Sequence, residues 1–264
     1  MNIIEAIRER RSVRNYNGQP LSRAVTVEIE KAIAETTDPF GGAITVRLGE
    51  FDLSDGFRPG TYGVIKGATT YFMIAAADTA ATDLSIGFVF EQIVLRAWQL
   101  GLGTCWIGGT FRNTDFNRLS GSWPEGQKLR IVSPVGIADR LTVREKIMRA
   151  AVGGDRRKPF EKLFFEGDFS PPRRADNRYG QSLEMLRLAP SSTNSQPWRA
   201  LVSDAAVHFY YTPKSRLSLI DCGIGLCHFY ETERFYSHEG CFFTADNPPA
   251  ATTSLKYLLS YHRQ

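Results

Sequence analysis

Apolar residues at the start of the chain recur with the spacing of an α-helix. Ile3 and Ile7 lie on one face of a predicted first helix, which leads directly into a basic run at residues 10–14. A second helix is predicted to follow Ser22, a residue type that caps helix starts, and to end before Pro39. The chain therefore opens with two helices before any strand pattern appears.

The most apolar stretch of the sequence, at residues 86–100, is hydrophobic nearly all round a helical wheel. Such a helix is stable only when it packs on several sides, so we predict a central helix that begins after Asp83 and ends at Gly101. Segments of strand composition lie at residues 44–51, 71–77, 105–107 and 129–135, and a polar helix is predicted at 113–119.

The second half of the chain repeats some of these features in the same order. The predicted elements are a helix at residues 183–188, strands at 201–202 and 207–211, and an apolar helix that opens at Asp221. The pattern Asp-x-x-Ile-Gly occurs at residues 83–87 and again at 221–225. This repetition indicates either a diverged duplication or a chance match.

The boundary between the halves is predicted from residues 155–178, which are rich in Arg, Lys, Pro and Phe and lack both the helical and the strand period. We therefore expect a first half at residues 1–154, an extended connector at 155–180 and a trimmed second half at 181–264.

Composition places the chain among globular proteins. Its 264 residues are 42% hydrophobic, which is enough to bury a core without disulfide or metal support. Acidic and basic residues are interspersed and the net charge is only +4, so we expect no nucleic-acid partner. Any anion site must be local.

No segment predicts a membrane span or a secretory signal. The apolar stretch is about 15 residues long, against the ~20 that a bilayer requires, and it contains Glu91 and Arg96. Charges among the first eleven residues interrupt any apolar signal-peptide core. The four cysteines lack the spacing of a disulfide framework, which favours the cytoplasm.

The basic run Arg10-Arg11-Ser12-Val13-Arg14 places three guanidiniums and a hydroxyl within five residues. Arginine binds phosphate oxygens bidentately and stays charged at physiological pH, so the run predicts a monophosphate site. A solvated helix end, favourably placed against the helix dipole, is the alternative interpretation.

A glycine-rich segment lies at residues 100–111. It does not match the dinucleotide-binding fingerprint, because Gly101 and Gly103 follow a helix and lead into a strand rather than the reverse. Gly108 and Gly109 would instead let backbone N–H groups approach a flat ligand closely.

Residues 188–199 form a loop of small hydroxyl, amide and proline residues between a predicted helix and a predicted strand. A loop with so many hydrogen-bond donors and acceptors predicts hydrogen bonds to the polar edge of a ligand's ring. An ordinary turn cluster, in which Ser and Asn satisfy their own backbone, is the alternative interpretation.

Metal-capable residues cluster near the C-terminus, namely Cys222, Cys227, His228, His238 and Cys241. Two of these cysteines lie five residues apart on a predicted helix, hence about 140° apart around its axis, and no Cys-x-x-Cys motif is present. We therefore expect core thiols and no metal site. The sequence also lacks the Gly-x-Ser-x-Gly elbow of a serine hydrolase.

Together, the three segments resemble the FMN-dependent nitroreductase family. The matching motifs are Arg-Arg-Ser-x-Arg-x-Tyr at residues 10–16, Gly-Leu-Gly-Thr-Cys-Trp-Ile-Gly-Gly at 101–109, and Ala-Pro-Ser-Ser-x-Asn-x-Gln-Pro-Trp at 189–198. The resemblance implies a nitroreductase-like α+β fold, with a central, mostly antiparallel sheet flanked by helices. Ordinary members are homodimers in which the Arg-Ser helix of one subunit meets the Pro-Ser-Ser loop of the other.

The order of the motifs departs from that of ordinary members. Where those have the Pro-Ser-Ser loop, this chain has Asp-Pro-Phe-Gly-Gly at residues 38–42, and the intact loop lies in the second half. The second half in turn lacks an Arg-Arg-Ser helix and a Gly-Gly strand. These complementary losses resemble nitroreductases in which two fused, diverged copies fill one chain, and they imply a monomer that acts as a pseudo-dimer with one complete site.

The resemblance also implies a set of FMN ligands. The phosphate would be held by Arg10, Arg11, Ser12 and Arg14 with help from Arg156 and Arg157, backbone amides at Ile107, Gly108 and Gly109 would face flavin N5, and Pro190, Ser191, Ser192 and Asn194 would contact the isoalloxazine and ribityl chain. No side chain is implied as an acid or base, because the flavin carries the chemistry.

The implied function is that of an oxidoreductase with one FMN per chain. Hydride would pass from NAD(P)H through flavin N5 to a nitroaromatic, a quinone or a similar small oxidant, by a ping-pong mechanism. A flavin-binding storage or regulatory protein without turnover is the alternative. A third possibility is that the motifs are relics and that no flavin binds.

Overall fold

The computed structural model describes residues 1–54, 56–139, 156–172, 178–251 and 254–264. The α-helices are α1 (Ile3–Glu9), α2 (Arg23–Ala34), α3 (Ala80–Gln99), α4 (Asn113–Ser120), α5 (Gly180–Leu188) and α6 (Ser218–Phe235). The strands are β1 (Ile44–Glu50), β2 (Thr70–Ala76), β3 (Gly103–Thr104), β4 (Lys128–Gly136), β5 (Phe164–Glu166), β6 (Asp168–Pro172), β7 (Trp198–Val202), β8 (Val207–Tyr211), β9 (Gly240–Phe243) and β10 (Lys256–Arg263). The mixture of helices and mainly antiparallel strands confirms the predicted α+β class, but the expected single central sheet is wrong, because the described strands form two separate sheets.

Local capping interactions define the starts of the first two helices. Asn2 and Glu5 form a capping box at the start of α1, in which each side chain accepts a hydrogen bond from the backbone N–H of the other. Ser22 caps α2 by accepting from Val25 N at 3.4 Å. Both helices are confirmed.

The two long apolar helices begin earlier than their apolar runs suggest, so the predicted starts, after Asp83 and at Asp221, are wrong. Helix α3 begins at Ala80 because Thr79 caps it and exchanges hydrogen bonds with Thr82. Helix α6 begins at Ser218, whose Oγ accepts from two preceding backbone N–H groups. In each case the start is set by hydrogen bonds of a hydroxyl side chain, which a search for apolar periodicity does not detect.

The strands form two sheets, and four antiparallel strands follow the same order in each. The first sheet has the order β1-β2-β4-β3, and the second contains β7-β8-β10-β9. In each, the second and third strands along the chain are separated by the long apolar helix, α3 or α6. Strands β9 and β10 were not among the elements predicted from the sequence.

The predicted extended connector contributes two strands to the second sheet. Strand β5 pairs in parallel with β7, with Phe164 opposite Ala200, and β6 pairs antiparallel with β5 at the edge. The absence of periodicity in the sequence is explained by these short strands, which are too brief to show one. Residues 155 and 173–177 of this connector lie outside the described part of the chain.

Helices α3 and α6 cross in the core at a pair of glycines. A Cβ atom placed on Gly87 would overlap Ile220 O and lie 2.9 Å from Gly223 Cα. A Cβ on Gly223 would overlap Leu84 O and lie 2.9 Å from Gly87 Cα. The contact is reciprocal, since Leu84 and Ile220 each precede their glycine by three residues.

None of the described helices is long and apolar enough to cross a membrane.

Candidate active site

A cavity of about 670 Å³ lies where three segments of the chain converge. The segments are residues 7–14 at the end of α1, residues 105–110 after β3, and residues 188–194 after α5. The start of α6 forms a further wall, which includes Arg216, Leu217, Ile220, Asp221 and Ile224. This volume is within the range of roughly 300–1,000 Å³ that is typical of sites for small molecules and cofactors.

The basic run reaches the cavity because it leaves α1 and continues alongside β3. Val13 N donates to Thr104 O at 2.8 Å, and Ser12 forms a parallel bridge with Thr104. A Cβ on Gly103 would lie only 2.6 Å from Val13 Cβ, so glycine is required for this close approach. The chain thus carries the arginines to the wall of the cavity and adjoins the segment that contains Gly108 and Gly109.

Arg10 lies against a fully buried carboxylate on α3. Its Nε is 3.6 Å from Glu91 Oε1, and its side chain is 4% exposed. Within the described part of the chain, Nε and Nη1 of Arg10 are buried and make no hydrogen bond. Buried donors of this kind are costly unless a partner satisfies them, so their presence at a cavity wall indicates an anionic or polar ligand.

Glu91 also joins the two sides of the cavity. Trp106 Nε1 donates to Glu91 Oε2 at 2.8 Å, and His228 Nε2 from α6 lies 2.9 Å from Glu91 Oε1. His228 Nδ1 lies 3.1 Å from Met185 O, so both ring nitrogens have a hydrogen-bonding neighbour. One buried carboxylate therefore holds Trp106, a cavity residue, in place and contacts Arg10.

The glycine pair lies after Ile107, which exchanges two backbone hydrogen bonds with Val132 of β4. Arg216 approaches this segment from the opposite part of the chain, and its Nη2 donates to Gly108 O at 3.1 Å. A Cβ on Gly109 would lie 3.0 Å from the same Nη2 atom. Gly109 is exposed to the cavity, so its backbone can approach a ligand.

The loop at residues 189–198 is held in a strained conformation by its own hydrogen bonds. Thr193, Asn194 and Gln196 have φ values of 50°, 55° and 46°, which non-glycine residues rarely adopt. Ser191 Oγ accepts from Gln196 N at 2.9 Å, and Arg157 donates to Leu188 O at 3.0 Å. Strain that is stabilised in this way is typical of functional sites.

Asp221 anchors the same loop from the first turn of α6. Its Oδ1 accepts from Ser192 N at 2.8 Å and its Oδ2 accepts from Ser195 Oγ at 3.2 Å. The residue is 3% exposed. Burial raises the pKa of this carboxyl to about 6, although the hydrogen bonds from Ser192 and Ser195 act in the opposite direction.

The raised pKa predicts a specific dependence of stability on pH. The pKa of Asp221 is higher in the folded chain than the ~3.9 of an unfolded aspartate, so the folded state binds this proton more tightly. The resulting contribution to stability is fully present below about pH 4 and is lost as pH rises through 6. Asp221→Asn keeps an acceptor for Ser192 N. We expect the wild type to lose roughly 2 kcal/mol of stability between pH 4 and 7 that the variant does not lose. The free energy of unfolding of the variant, minus that of the wild type, should therefore rise by this amount.

Urea unfolding of both proteins across this pH range provides the measurement, since the titrations of all other groups cancel in the difference. A difference between the two free energies that stays constant with pH would show that Asp221 titrates normally.

Twelve of the thirteen predicted site residues line this one cavity: Arg10, Arg11, Ser12, Arg14, Ile107, Gly108, Gly109, Arg157, Pro190, Ser191, Ser192 and Asn194. Arg156 does not line it and is exposed. Its backbone oxygen accepts from Asn194 Nδ2 at 2.7 Å, so its position supports the loop rather than directing its guanidinium into the cavity.

Sequence reasoning missed several residues of the cavity. Asp221 was predicted only as a helix start, and Arg216 was not predicted to belong to any site, yet both line the cavity. Glu91 does not line it but contacts Arg10, which does. These positions result from packing between α3, α6 and distant loops, which no local pattern encodes. Among the described residues, no group of three or more His, Cys, Asp or Glu side chains is placed to hold a metal ion.

Comparisons with known proteins give one family match and several structural neighbours. A family model described as "Putative TM nitroreductase" matches residues 2–232. The structure of a putative nitroreductase from Thermotoga maritima aligns with 100% of this chain and 93% of its own, at 20% identity and a TM-score of 0.61. This likeness shows a common fold. No curated protein sequence is significantly similar to the chain.

Two further structures align with about half of the chain. An FMN-dependent nitroreductase from Clostridium difficile is 19% identical over 53% of this chain and 89% of its own, with a TM-score of 0.42. A nitroreductase with bound FMN from Desulfitobacterium hafniense is 18% identical over 54% of this chain and 92% of its own, with a TM-score of 0.43. From the family match over residues 2–232, the chain belongs to the TM nitroreductase family.

Proposed function

We propose that this protein is an FMN-dependent oxidoreductase that uses NAD(P)H to reduce a nitroaromatic, a quinone or a similar small oxidant. The observation that carries the proposal is the convergence of three distant sequence segments, at residues 10–14, 107–109 and 190–194, on one cavity. Family membership supports the same chemistry.

The residues present fit FMN. A phosphate needs several charged donors, and Arg10, Arg11, Arg14 and Arg157 all line the cavity. Ser12 adds a hydroxyl, and the buried N–H groups of Arg10 offer hydrogen bonds that the described residues do not satisfy. These groups would hold the phosphate and the polar chain next to it.

The remaining walls suit the flat ring system. Gly108 and Gly109 leave their backbone accessible, while Pro190, Ser191, Ser192 and Asn194 present a rigid polar edge. Bound FMN would supply the redox chemistry by taking hydride at N5 from NAD(P)H and passing it to the oxidant. The protein would position the ring, neutralise the phosphate and exclude water from one face.

We further propose that the chain consists of two diverged copies, at residues 1–154 and 181–264, joined by the connector at 155–180. Three observations support this division. The strand orders of the two sheets match, α3 and α6 cross reciprocally at Gly87 and Gly223, and each crossing helix anchors the loop after the preceding helix. Ser85 Oγ accepts from Gly42 N at 3.1 Å, and Asp221 Oδ1 accepts from Ser192 N at 2.8 Å.

The crossing corrects the register of the internal repeat. The Asp-x-x-Ile-Gly pattern aligns Asp83 with Asp221, whereas the reciprocal packing pairs Gly87 with Gly223 and therefore Ser85 with Asp221. The short motif match is displaced by two residues from this pairing. The argument for two copies rests on the topology and the crossing instead.

This symmetry supports one FMN per chain. Ile224 follows Gly223 and lines the cavity, and Phe88 occupies the equivalent position after Gly87. Its ring lies 5.3 Å from that of Phe40 and 6.1 Å from that of Phe242. Phe40 belongs to the Asp-Pro-Phe-Gly-Gly loop that replaces the Pro-Ser-Ser loop. The counterpart of the cavity is thus filled by aromatic side chains.

Anaerobic mixing with NADPH distinguishes an enzyme from a flavin carrier. We expect the yellow, FMN-loaded protein to bleach and then to regain its colour when a quinone is added. Parallel double-reciprocal plots are expected from a ping-pong mechanism. A yellow protein that NADPH does not bleach would favour the storage or regulatory alternative, and intersecting plots would contradict the ping-pong mechanism.

The pseudo-dimer also leads us to propose a monomer in solution, since the second copy supplies the loop that a partner subunit provides in ordinary members. Light scattering that shows an obligate dimer would contradict this assignment.

A further inference from the structure

We propose that Arg216 is a specificity-determining residue that selects oxidants carrying an anionic group, such as aromatic nitro compounds or quinones with a carboxylate or a sulfonate. The inference rests on the proposed flavin chemistry and adds the substrate class. It is carried by the position of one guanidinium and by the charge of the cavity around it.

Arg216 lies at the cavity wall beside the proposed reaction centre. It precedes α6, yet its Nη2 donates to Gly108 O at 3.1 Å, in the segment whose amides are proposed to face flavin N5. The residue is exposed, so its remaining N–H groups are accessible from the cavity. The arginines proposed to bind the phosphate come from other segments, at residues 10–14 and at Arg157.

No acidic side chain neutralises Arg216 within the described part of the chain, where no carboxylate oxygen lies within 4.0 Å of its guanidinium. The charge of Arg216 contributes slightly to lowering the pKa of the exposed Asp78. Asp78 already forms ion pairs with Lys128 Nζ at 2.7 Å and with Arg130 Nη2 at 3.1 Å. Arg216 is therefore available to a ligand.

The cavity retains positive charge after FMN binds. Six arginines and two carboxyl groups line it, namely Arg8, Arg10, Arg11, Arg14, Arg157 and Arg216 against Glu9 and Asp221. Glu91 lies behind the wall and pairs with Arg10, so the excess is three positive charges, and it is reduced by about two when a phosphate monoester binds. A net charge of about one remains to attract an anionic second substrate.

A carboxylate matches the chemistry of this residue. The guanidinium fork donates two parallel hydrogen bonds to a carboxylate or sulfonate, and a neutral arene offers no such partner. With a nitroarene carboxylate, NAD(P)H gives a hydride and the solvent gives a proton. The nitro group becomes nitroso as one N–O bond breaks and its oxygen leaves as water, and the nicotinamide is oxidised. The carboxylate stays unchanged and serves only for recognition.

The test compares 4-nitrobenzoate with nitrobenzene as oxidants of the FMN-loaded protein, and measures the oxidative and reductive half-reactions separately. For Arg216→Gln we expect the ratio of kcat/KM for 4-nitrobenzoate to that for nitrobenzene to fall at least tenfold. Arg118→Gln, which removes an exposed charge from α4 outside the cavity, should leave this ratio within about twofold.

Binding provides a second readout that needs no turnover. Benzoate, which is not reduced, should perturb the flavin absorbance of the wild-type protein, and its Kd should rise at least tenfold in Arg216→Gln. The wild-type affinity should also weaken with added salt, because the attraction is electrostatic.

Each result has a distinct meaning. A protein that takes up no FMN overturns the proposed function and the inference together. A yellow, NADPH-reducible protein in which Arg216→Gln leaves the ratio and the benzoate affinity unchanged overturns the inference alone. So does an effect confined to the reductive half-reaction, which would assign Arg216 to NADPH.

Discussion

Replacing Arg10 and Arg14 together by alanine is expected to weaken FMN binding at least a hundredfold, while riboflavin binding changes less than tenfold. Each arginine lines the cavity, and a hydrogen bond between charged groups contributes about 1.5–3 kcal/mol. Two such bonds to a phosphate account for a hundredfold or more. Riboflavin lacks the phosphate, so titrations monitored by flavin fluorescence should separate the two ligands.

A matched pair of substitutions controls for the loss of positive charge alone. Arg23→Ala with Arg118→Ala removes two exposed arginines outside the cavity and should leave both affinities within about twofold. Because Arg10 contacts the buried Glu91, thermal unfolding of each variant must be compared, and Arg14→Ala alone tests the phosphate without disturbing that contact. Equal losses for FMN and riboflavin would contradict the assignment of these arginines to the phosphate.

Gly87→Ala is expected to lower the free energy of unfolding by about 4 kcal/mol or more. Overpacking of a core usually costs about 1–3 kcal/mol, because side chains move aside. Here the added Cβ would overlap the backbone oxygen of Ile220 on the facing helix, so α3 and α6 would have to separate. Inside a helix, alanine is otherwise more stable than glycine by about 1 kcal/mol. A loss of stability in Gly87→Ala would therefore come from the crossing and not from helix propensity.

The matched control lies in the same core. A Cβ on Gly225 of α6 would meet Trp198 Cε3 at 3.3 Å and Leu186 Cγ at 3.4 Å, and no backbone atom that close. Gly225→Ala should therefore change the free energy of unfolding by less than about 1 kcal/mol, because these side-chain atoms can adjust. Chemical denaturation of both variants provides the measurement, and similar values for the two would contradict the tight crossing.

The sequence predicts the parts of this protein that depend on local chemistry. Helix α1 is recognised from its apolar stripe, α2 from its stripe and its Ser22 cap, and the three site segments are recognised as motifs. The resemblance to nitroreductases is confirmed by the family match. Local signals suffice in these cases because the residues that specify each feature are neighbours in the chain.

The remaining features depend on contacts between distant residues. Arg216 reaches Gly108 across 108 positions, and Glu91 meets His228 across 137, so no window of sequence contains either pair. The crossing at Gly87 and Gly223 is equally invisible, since a glycine inside a helix gives no sign of its partner. Short strands such as β5 and β9 are specified by the sheet they join rather than by their own periodicity.

The central claim is that two diverged copies share one complete flavin site. Its most direct test is the number of FMN molecules bound per chain, measured by releasing the flavin from protein saturated with FMN and freed of excess. The complementary losses of motifs and the aromatic filling of the counterpart cavity predict a ratio near one. A ratio near two would contradict this account, because it would require a second site where Phe40, Phe88 and Phe242 now pack together.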